Sequence, residues 1–235
     1  MLRNVNTGVL ASMVFAGALS LAFATPSLAE DGSERAWQQV RNSDGIVVSR
    51  KDVPGSPFVA LRGEGDVDAP LLLVGSVLVD ITRDKEWVDS VVDAKVVREV
   101  GETEYVTYSH VGTPVTMSDR DFVTKVDLTA DPWKKALEIR MRSVDDPAAP
   151  KTHYVRGLLT DSGFTLTSID HGARTHVVAE IHCDPKGNVA PWIVNLFQKD
   201  WGYKTLMSLR KQVRKPDVQV HPKLKAVLDD KKFFG

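Results

Sequence analysis

Residues 118–144 read SDRDFVTKVDLTADPWKKALEIRMRSV, and this stretch decides the fold. Apolar and polar side chains alternate along two runs, Asp121–Thr129 and Lys135–Val144, on either side of a turn at Asp131-Pro132. An alternation of period two is typical of strands with one dry and one wet face, and a connection of hairpin length makes the two strands antiparallel. The dry face of this hairpin carries Phe122, Thr124, Val126, Leu128, Leu137, Ile139 and Met141.

The same alternation recurs on both sides of the hairpin. The predicted strands are Ile46–Lys51, Phe58–Val67, Lys95–Val100, Glu104–Val111, Asp121–Thr129, Lys135–Val144, Tyr154–Leu159, Phe164–Ile169 and Thr175–Cys183. Turn-forming residues such as Asp161-Ser162-Gly163 separate them. The predicted helices are Glu34–Val40, residues 70–80, Arg83–Ser90 and Pro191–Val213. Connections this short exclude repeated βαβ units, so the sequence predicts an α+β protein with a large antiparallel sheet of about nine strands.

The first 29 residues have the layout of a secretory signal. Arg3 is their only charged residue, and residues 8–24 form an apolar run of 17 residues. Ser27 and Ala29 are the small residues that a signal peptidase reads. We expect cleavage after Ala29 and a periplasmic or secreted protein, with an uncleaved membrane anchor as the alternative.

The rest of the chain has the composition of one soluble domain. We expect residues 30–215 to form this domain and residues 216–235 to form a charged tail. The 30 basic and 31 acidic residues nearly cancel and no basic block occurs, so a nucleic-acid-binding protein is not expected. Cys183 is the only cysteine, which excludes an internal disulfide and zinc sites built from paired cysteines. It lies on the dry face of its strand, where it is expected to act as a small buried hydrophobic residue.

No metal site is predicted. His176, Glu180 and His182 share the wet face of one strand, but strand positions two apart have Cα atoms separated by about 6.6 Å. Metal ligands must converge at about 2 Å, so the preferred interpretation of these side chains is solvated surface.

The last predicted helix carries an apolar stripe with a charged pair in it. One sector of the helix holds Ile193, Leu196, Phe197, Trp201 and Met207. Asp200 and Lys204 fall near the centre of this sector, in the i,i+4 order that favours an ion pair. Two interpretations remain open: a helix that covers the dry sheet with the pair at its rim, or a lid whose polar pair faces a ligand.

Several motifs, in this order, resemble the START domain, the steroidogenic-acute-regulatory-related lipid-transfer family. Val59–Gly65 is similar to its second strand, and Asp84–Trp87 is similar to the tryptophan-bearing turn after its middle helix. Ser118–Val123 (SDRDFV) resembles its Arg-Asp-Phe-Val strand start. Asp184–Asn188 (DPKGN) followed by Pro191–Asn195 (PWIVN) resembles the start of its final helix. The resemblance covers Ala36 to Val213.

The resemblance implies a helix-grip fold, in which a curved antiparallel sheet surrounds the C-terminal helix with a hydrophobic cavity between them. It implies binding and transfer of one hydrophobic lipid, of sterol, phospholipid or fatty-acyl type, with no cofactor and no chemical reaction. It also implies transient contact with a membrane surface, and we expect a monomer. The residues expected to line the cavity are Thr107, Ser109, Phe122, Thr124, Val126, Leu137, Ile139, Met141 and Ile181. The residues expected to form the lid and gate are Trp133, Ile193, Leu196, Phe197, Asp200, Trp201 and Lys204.

The binding residues of the family carry over unevenly. Some sterol-binding members place an arginine in the cavity where this chain has Val126, and an acidic partner near the position of Ser109. The resemblance therefore implies a more apolar cavity, with Thr107, Ser109 and Thr124 as neutral hydrogen-bonding candidates. The gate loop of the family corresponds to Ala130–Trp133, whose tryptophan would either pack on the lid or touch a membrane.

Two other functions remain open. The wider superfamily includes cyclases and hydrolases, so the chain could act on a hydrophobic polyketide or steroid with Tyr108, His110 or Asp200 as acid or base. Strand parity places Thr107 and Ser109 inward, so Tyr108 and His110 are expected to face outward. A purely structural exported domain with a filled core is the third possibility.

Other enzyme motifs are missing from the sequence. No Gly-x-Ser-x-Gly elbow and no phosphate-binding glycine loop occur. Asp119 and Asp121 flank Arg120, and a structural salt bridge is the preferred interpretation over a catalytic pair of carboxylates.

Overall fold

The computed structural model describes residues 36–113, 117–190, 194 and 199–228, and these form a ten-stranded sheet with helices on one face. The strands are β1 Gln38–Ser43, β2 Ile46–Lys51, β3 Ala60–Val67, β4 Val91–Glu99, β5 Glu104–Val111, β6 Arg120–Asp131, β7 Ala136–Ser143, β8 Val155–Arg156, β9 Leu158–Ile169 and β10 Arg174–Asp184. The α-helices are α1 Leu71–Val79, α2 Trp201–Gln212 and α3 Pro222–Val227. Short 3-10 helices lie at Ile81–Glu86 and Asp170–Gly172.

The strands lie in the order β1-β2-β3-β10-β9-β7-β6-β5-β4, and neighbours in this order are antiparallel. The two-residue β8 pairs with the start of β6 and is parallel to it. The predicted α+β class and helix-grip fold are therefore confirmed.

The predicted helix at Glu34–Val40 is wrong. Residues 38–43 form β1 instead, which pairs with β2 through the two-residue turn Asp44-Gly45. Both turn residues have positive φ, 56° and 66°, which is the backbone that an Asp-Gly hairpin turn requires. Pairing across this hairpin overrides the weak helical preference of the segment.

The predicted break at Asp161–Gly163 is also wrong, because β9 runs through it. The register with β10 shifts between Glu180 and His182, opposite this segment, so the turn-forming residues make a bulge. Gly163 passes close to β7: a Cβ at this position would lie 2.1 Å from the Ile139 carbonyl oxygen. The predicted strand Tyr154–Leu159 is divided between β8 and the start of β9.

The helices α1 and α2 cover the inner face of the sheet. Leu71, Val74 and Val77 of α1 pack in the main core with strand residues of β6, β7, β9 and β10. Leu206 of α2 packs with Ile46 of β2 in a second, smaller cluster. Within the described residues, no helix is long and apolar enough to cross a membrane.

Residues 216–228 do not form a free tail as expected. Leu224 and Leu228 are 0% exposed, and both belong to the main core beside α1. The Ser76 hydroxyl of α1 accepts a hydrogen bond from the His221 backbone N–H at 2.8 Å, and Lys223 forms an ion pair with Glu99 at 2.7 Å. Leu224 and Leu228, four residues apart, therefore pack this segment against the core.

We expect Leu224→Ala to lower the free energy of unfolding by about 2–5 kcal/mol, because it removes a fully buried side chain and leaves a cavity. Urea unfolding checks this, with the exposed Lys225→Ala as the matched control. Equal stability of the two variants would show that the segment does not contribute to the core.

Candidate ligand-binding site

The inner faces of β5, β6 and β7 bring most of the predicted cavity residues side by side. Thr107 pairs with Thr124, Ser109 with Phe122, and Val126 with Met141 across neighbouring strands. Val126 is 1% exposed and packs in the main core with Leu137 and Ile139. Thr107, Phe122 and Thr124 are buried, whereas Ser109, Met141 and Ile181 are partly exposed. Their role in lining a lipid cavity stays a prediction.

The outer face of the same strands carries its own apolar cluster of Val106, Tyr108 and Val123. Tyr108 and His110 therefore lie on the side of the sheet away from Thr107. The His110 ring stacks on Tyr154 with a centroid distance of 4.1 Å, and its Nε2 lies 2.8 Å from an Asp119 carboxylate oxygen. The expectation that Tyr108 and His110 face outward is confirmed.

The two carboxylates at the start of β6 have structural partners, but Arg120 is not one of them. Burial alone would raise the pKa of Asp121, but hydrogen bonds from Arg156 and Thr152 hold it below its ordinary value. Arg120 donates to the carbonyls of Ser118, Pro185 and Lys186 instead. The predicted salt bridge with Arg120 is wrong because successive strand residues point to opposite faces of the sheet.

Trp133 lies at the tip of the β6–β7 turn and is 96% exposed. The Asp131 carboxylate accepts hydrogen bonds from the backbone N–H groups of Trp133 and Lys134, each at 3.1 Å, and these fix the backbone of the tip. The tryptophan is therefore presented to solvent and is not packed on a lid in this structure.

The ion pair predicted between Asp200 and Lys204 does not form. Asp200 precedes the first residue of α2 and lies 3.3 Å from Arg41 of β1, whereas Lys204 lies 2.8 Å from Asp89. Partners from distant parts of the chain displace the local pair, which is worth only about 0.2–0.5 kcal/mol on a helix. Trp201 begins α2 and packs, partly buried, on the cluster around Leu206. Ile193, Leu196 and Phe197 lie outside the described residues.

The remaining chemical candidates are occupied by structural contacts. His176 Nδ1 lies 2.7 Å from Asp66, Glu180 pairs with Arg62, and His182 contacts the hydroxyls of Ser56 and Thr160. In the part of the chain that the structure describes, no group of three or more His, Cys, Asp or Glu side chains could hold a metal ion. Burial, followed by the neighbouring Asp184, raises the pKa of Cys183 to about 12, and the thiol is buried as predicted.

The sequence-based prediction missed three polar side chains on the inner side of the sheet: Asp84, Trp87 and Tyr105. Tyr105 is 0% exposed, and neither its hydroxyl nor the indole N–H of Trp87 has a hydrogen-bond partner. Burial raises the pKa of Asp84 to about 8, and the nearby Asp80 adds to this. The alternation along β5 puts Tyr105 on the same face as Thr107. That its hydroxyl lacks a hydrogen-bond partner can be learned only from the structure.

The raised pKa of Asp84 predicts a pH-dependent stability. This carboxyl is ionised in the unfolded chain above about pH 4 but stays protonated in the folded protein up to about pH 8, so unfolding releases a proton between these values. The contribution of the protonated Asp84 carboxyl to the free energy of unfolding is therefore fully present below pH 4 and is lost as the pH rises towards 8.

We expect Asp84→Asn to raise the free energy of unfolding at pH 7 by roughly 1–3 kcal/mol and to flatten its dependence on pH. Urea unfolding between pH 4 and 9 checks this, and the exposed Asp52→Asn should behave like the parent. An Asp84→Asn variant with the parental pH slope would show that Asp84 is ionised in the folded state.

Comparison with known proteins agrees with this fold. The family model described as START domain matches residues 27–215. A STAR-related lipid transfer protein from Xanthomonas axonopodis is 25% identical with a TM-score of 0.68, over 76% of this chain and 99% of that one. Human StAR-related lipid transfer protein 5 shares the fold, with 23% identity and a TM-score of 0.67 over 76% of this chain and 86% of that one. An uncharacterized protein of Pseudomonas aeruginosa is 26% identical over 88% of this chain and 98% of its own length. This chain belongs to the START domain family.

Proposed function

We propose that the protein binds one hydrophobic lipid against the inner face of β5–β7 and transfers it between membranes without chemical change. The observation that carries the proposal is the inner face of β6. From Phe122 to Ala130 its inward positions hold only apolar side chains and Thr124. Burial of a lipid chain there would contribute about 0.8 kcal/mol per CH₂ group, enough to hold a lipid out of water. Membership of the START domain family, with lipid transfer proteins among its structural relatives, supports the same function.

Several contacts favour transfer over catalysis. An acid or base acting on a bound lipid must reach it within hydrogen-bond distance. Tyr108 and His110 lie on the outer face, and Asp200 is paired with Arg41. The candidates for cyclase or hydrolase chemistry are thus directed away from the proposed ligand or already paired.

The exposed tip of the β6–β7 turn supports transient contact with a membrane. Trp133 is followed by the exposed Lys134 and Lys135, and a tryptophan beside lysines suits the interface between lipid head groups and acyl chains. We propose that this loop, Ala130–Trp133, forms the gate together with the last helix, because a ligand enclosed on all sides needs a wall that can move.

We further propose that the protein acts outside the cytoplasm, because residues 1–29 have the layout of a cleavable secretory signal. N-terminal sequencing of the exported protein should begin at Glu30. A chain that retains Met1 in a membrane fraction would contradict this.

We expect Val126→Arg to abolish lipid uptake, because it places an unpaired charge on the apolar inner face at a cost of several kcal/mol. Uptake of a fluorescent lipid from vesicles checks this. Thr129→Arg, at an exposed position of the same strand, is the control and should bind like the parent. Because Val126→Arg also threatens folding, the smaller change Val126→Thr provides a second test, and it should weaken uptake in a protein that folds. Parental uptake by both Val126 variants would place the lipid elsewhere.

We expect Trp133→Ala to slow lipid exchange between vesicles about tenfold or more and to leave the equilibrium occupancy unchanged, because the side chain acts at the membrane and not in the binding site. Stopped-flow transfer measures the rate. Val40→Ala, which removes an exposed apolar side chain from the edge strand β1, is the matched control. Equal rates for Trp133→Ala and the parent would assign membrane contact to another surface.

A further inference from the structure

Two buried polar groups in the main core have no hydrogen-bond partner among the residues that the structure describes. Tyr105 and Trp87 both belong to that core, yet the tyrosine hydroxyl and the indole N–H make no hydrogen bond. More than nine in ten buried polar groups in proteins are hydrogen-bonded, and an unpaired one costs about 1–3 kcal/mol. Each of these two groups in the apolar core therefore calls for a polar partner that the described residues do not supply.

A third polar group of this segment is the partly buried carboxyl of Asp84. Its charge, after burial of the tyrosine itself, raises the pKa of the Tyr105 hydroxyl. Asp84 and Trp87 are one turn apart at the end of the 3-10 helix Ile81–Glu86. There the Asp84 backbone carbonyl accepts a hydrogen bond from the Trp87 backbone N–H. The Asp84 side chain itself has no hydrogen bond or ion pair to the described residues.

The surroundings exclude a charged partner. The acidic groups around this place are Asp80 on the same segment and Glu99 on β4. The cation over the Tyr105 ring is Lys223, which lies 4.8 Å from the ring centroid and is already bound to Glu99 at 2.7 Å. A phosphate or carboxylate head group would meet these acids with no free cation. An ammonium group would leave the indole N–H without an acceptor.

We propose that Asp84, Trp87 and Tyr105 recognise one neutral oxygen, a hydroxyl or a carbonyl, at the polar end of the bound lipid. The indole N–H donates to this oxygen, the tyrosine hydroxyl can donate or accept, and the protonated Asp84 can do either. The site rests on the proposed lipid-binding function and narrows it to neutral lipids that carry such an oxygen. Thr107 and Ser109, which follow Tyr105 on the same face of β5, continue towards the region proposed for the hydrocarbon.

An ordered water molecule could satisfy the same three groups, and the two cases differ in what Tyr105→Phe does. If a structural water is bound, loss of the hydroxyl removes one of its partners and lowers the stability of the lipid-free protein. If the site awaits a ligand, the change removes an unpaired buried group, so the stability of the lipid-free protein stays the same or rises.

The experiment compares lipids that differ only in one oxygen. Binding of 1-hexadecanol and hexadecane, and of cholesterol and cholestane, is measured by displacement of a fluorescent lipid from delipidated parent, Tyr105→Phe and Tyr108→Phe protein. Tyr108 is the matched control because it is a buried tyrosine of the same strand on the outer face. In at least one pair, we expect the parent to bind the alcohol with about fivefold or higher affinity than the matching hydrocarbon. Such a difference in affinity corresponds to one or more hydrogen bonds. Tyr105→Phe should lose most of that preference with unchanged affinity for the hydrocarbon, and Tyr108→Phe should keep it.

The outcomes separate this site from the function it rests on. If the parent binds the probes and Tyr105→Phe keeps the parental preference, the site is overturned and lipid binding stands. If lipid-free Tyr105→Phe is less stable than the parent and keeps the preference for the alcohol, the three groups bind a structural water molecule and not the lipid. If the parent binds none of the four probes and no other lipid from mixed vesicles, the proposed function fails, and this inference fails with it.

Discussion

The arrangement of the protein depends on a backbone contact between Gly63 of β3 and Gly202 of α2. A Cβ on Gly63 would lie 2.7 Å from the Gly202 Cα, and a Cβ on Gly202 would lie 2.8 Å from the Gly63 Cα. Only glycine at both positions lets the helix lie this close to the sheet. The contact fixes α2 mainly over β2, β3 and β10, at one side of the inner face. The inner face of β5–β7, where a lipid is proposed to bind, lies to the side of α2 and packs against α1.

The two faces of β5–β7 carry different kinds of polar side chains. The ion pair of Asp121 with Arg156 and the contact of His110 with Asp119 are made away from the inner face of β5–β7. The inner face of the same strands keeps hydroxyls and one tyrosine among aliphatic side chains. We propose that this surface holds a neutral lipid and orients it by hydrogen bonds. The C-terminal segment beyond the family match adds to this enclosure, because Leu224 fills space between α1 and the sheet.

The sequence predicted the parts of the fold that follow from local periodicity. The limits of β2 and β5 agree with the prediction to the residue, because both strands alternate and are bounded by turn-forming residues. The inward position of Val126 followed from the same parity. Turn-forming residues were a less reliable guide to where strands end, because Asp161–Gly163 has the composition of a turn but makes a bulge within β9.

The remaining differences come from long-range contacts. Asp200 and Lys204 find partners on β1 and at Asp89 that no local pattern can reveal. Two buried leucines hold residues 216–228 against the core, and these contacts form with parts of the chain that are distant in sequence. Whether the Tyr105 hydroxyl has a hydrogen-bond partner depends on residues that are distant in sequence. Sequence thus predicted the candidate inner face but not the polar groups at its end.

The central claim is that one neutral lipid occupies the inner side of this sheet. Native mass spectrometry of the protein purified from the cells that produce it, followed by extraction and identification of any bound lipid, is the measurement that tests this. The account predicts a complex with a single bound lipid that carries a hydroxyl or carbonyl group and no charge, and loss of this complex in Val126→Arg. A protein that carries no lipid and takes up none from vesicles, or a Val126→Arg variant with full occupancy, would contradict the account.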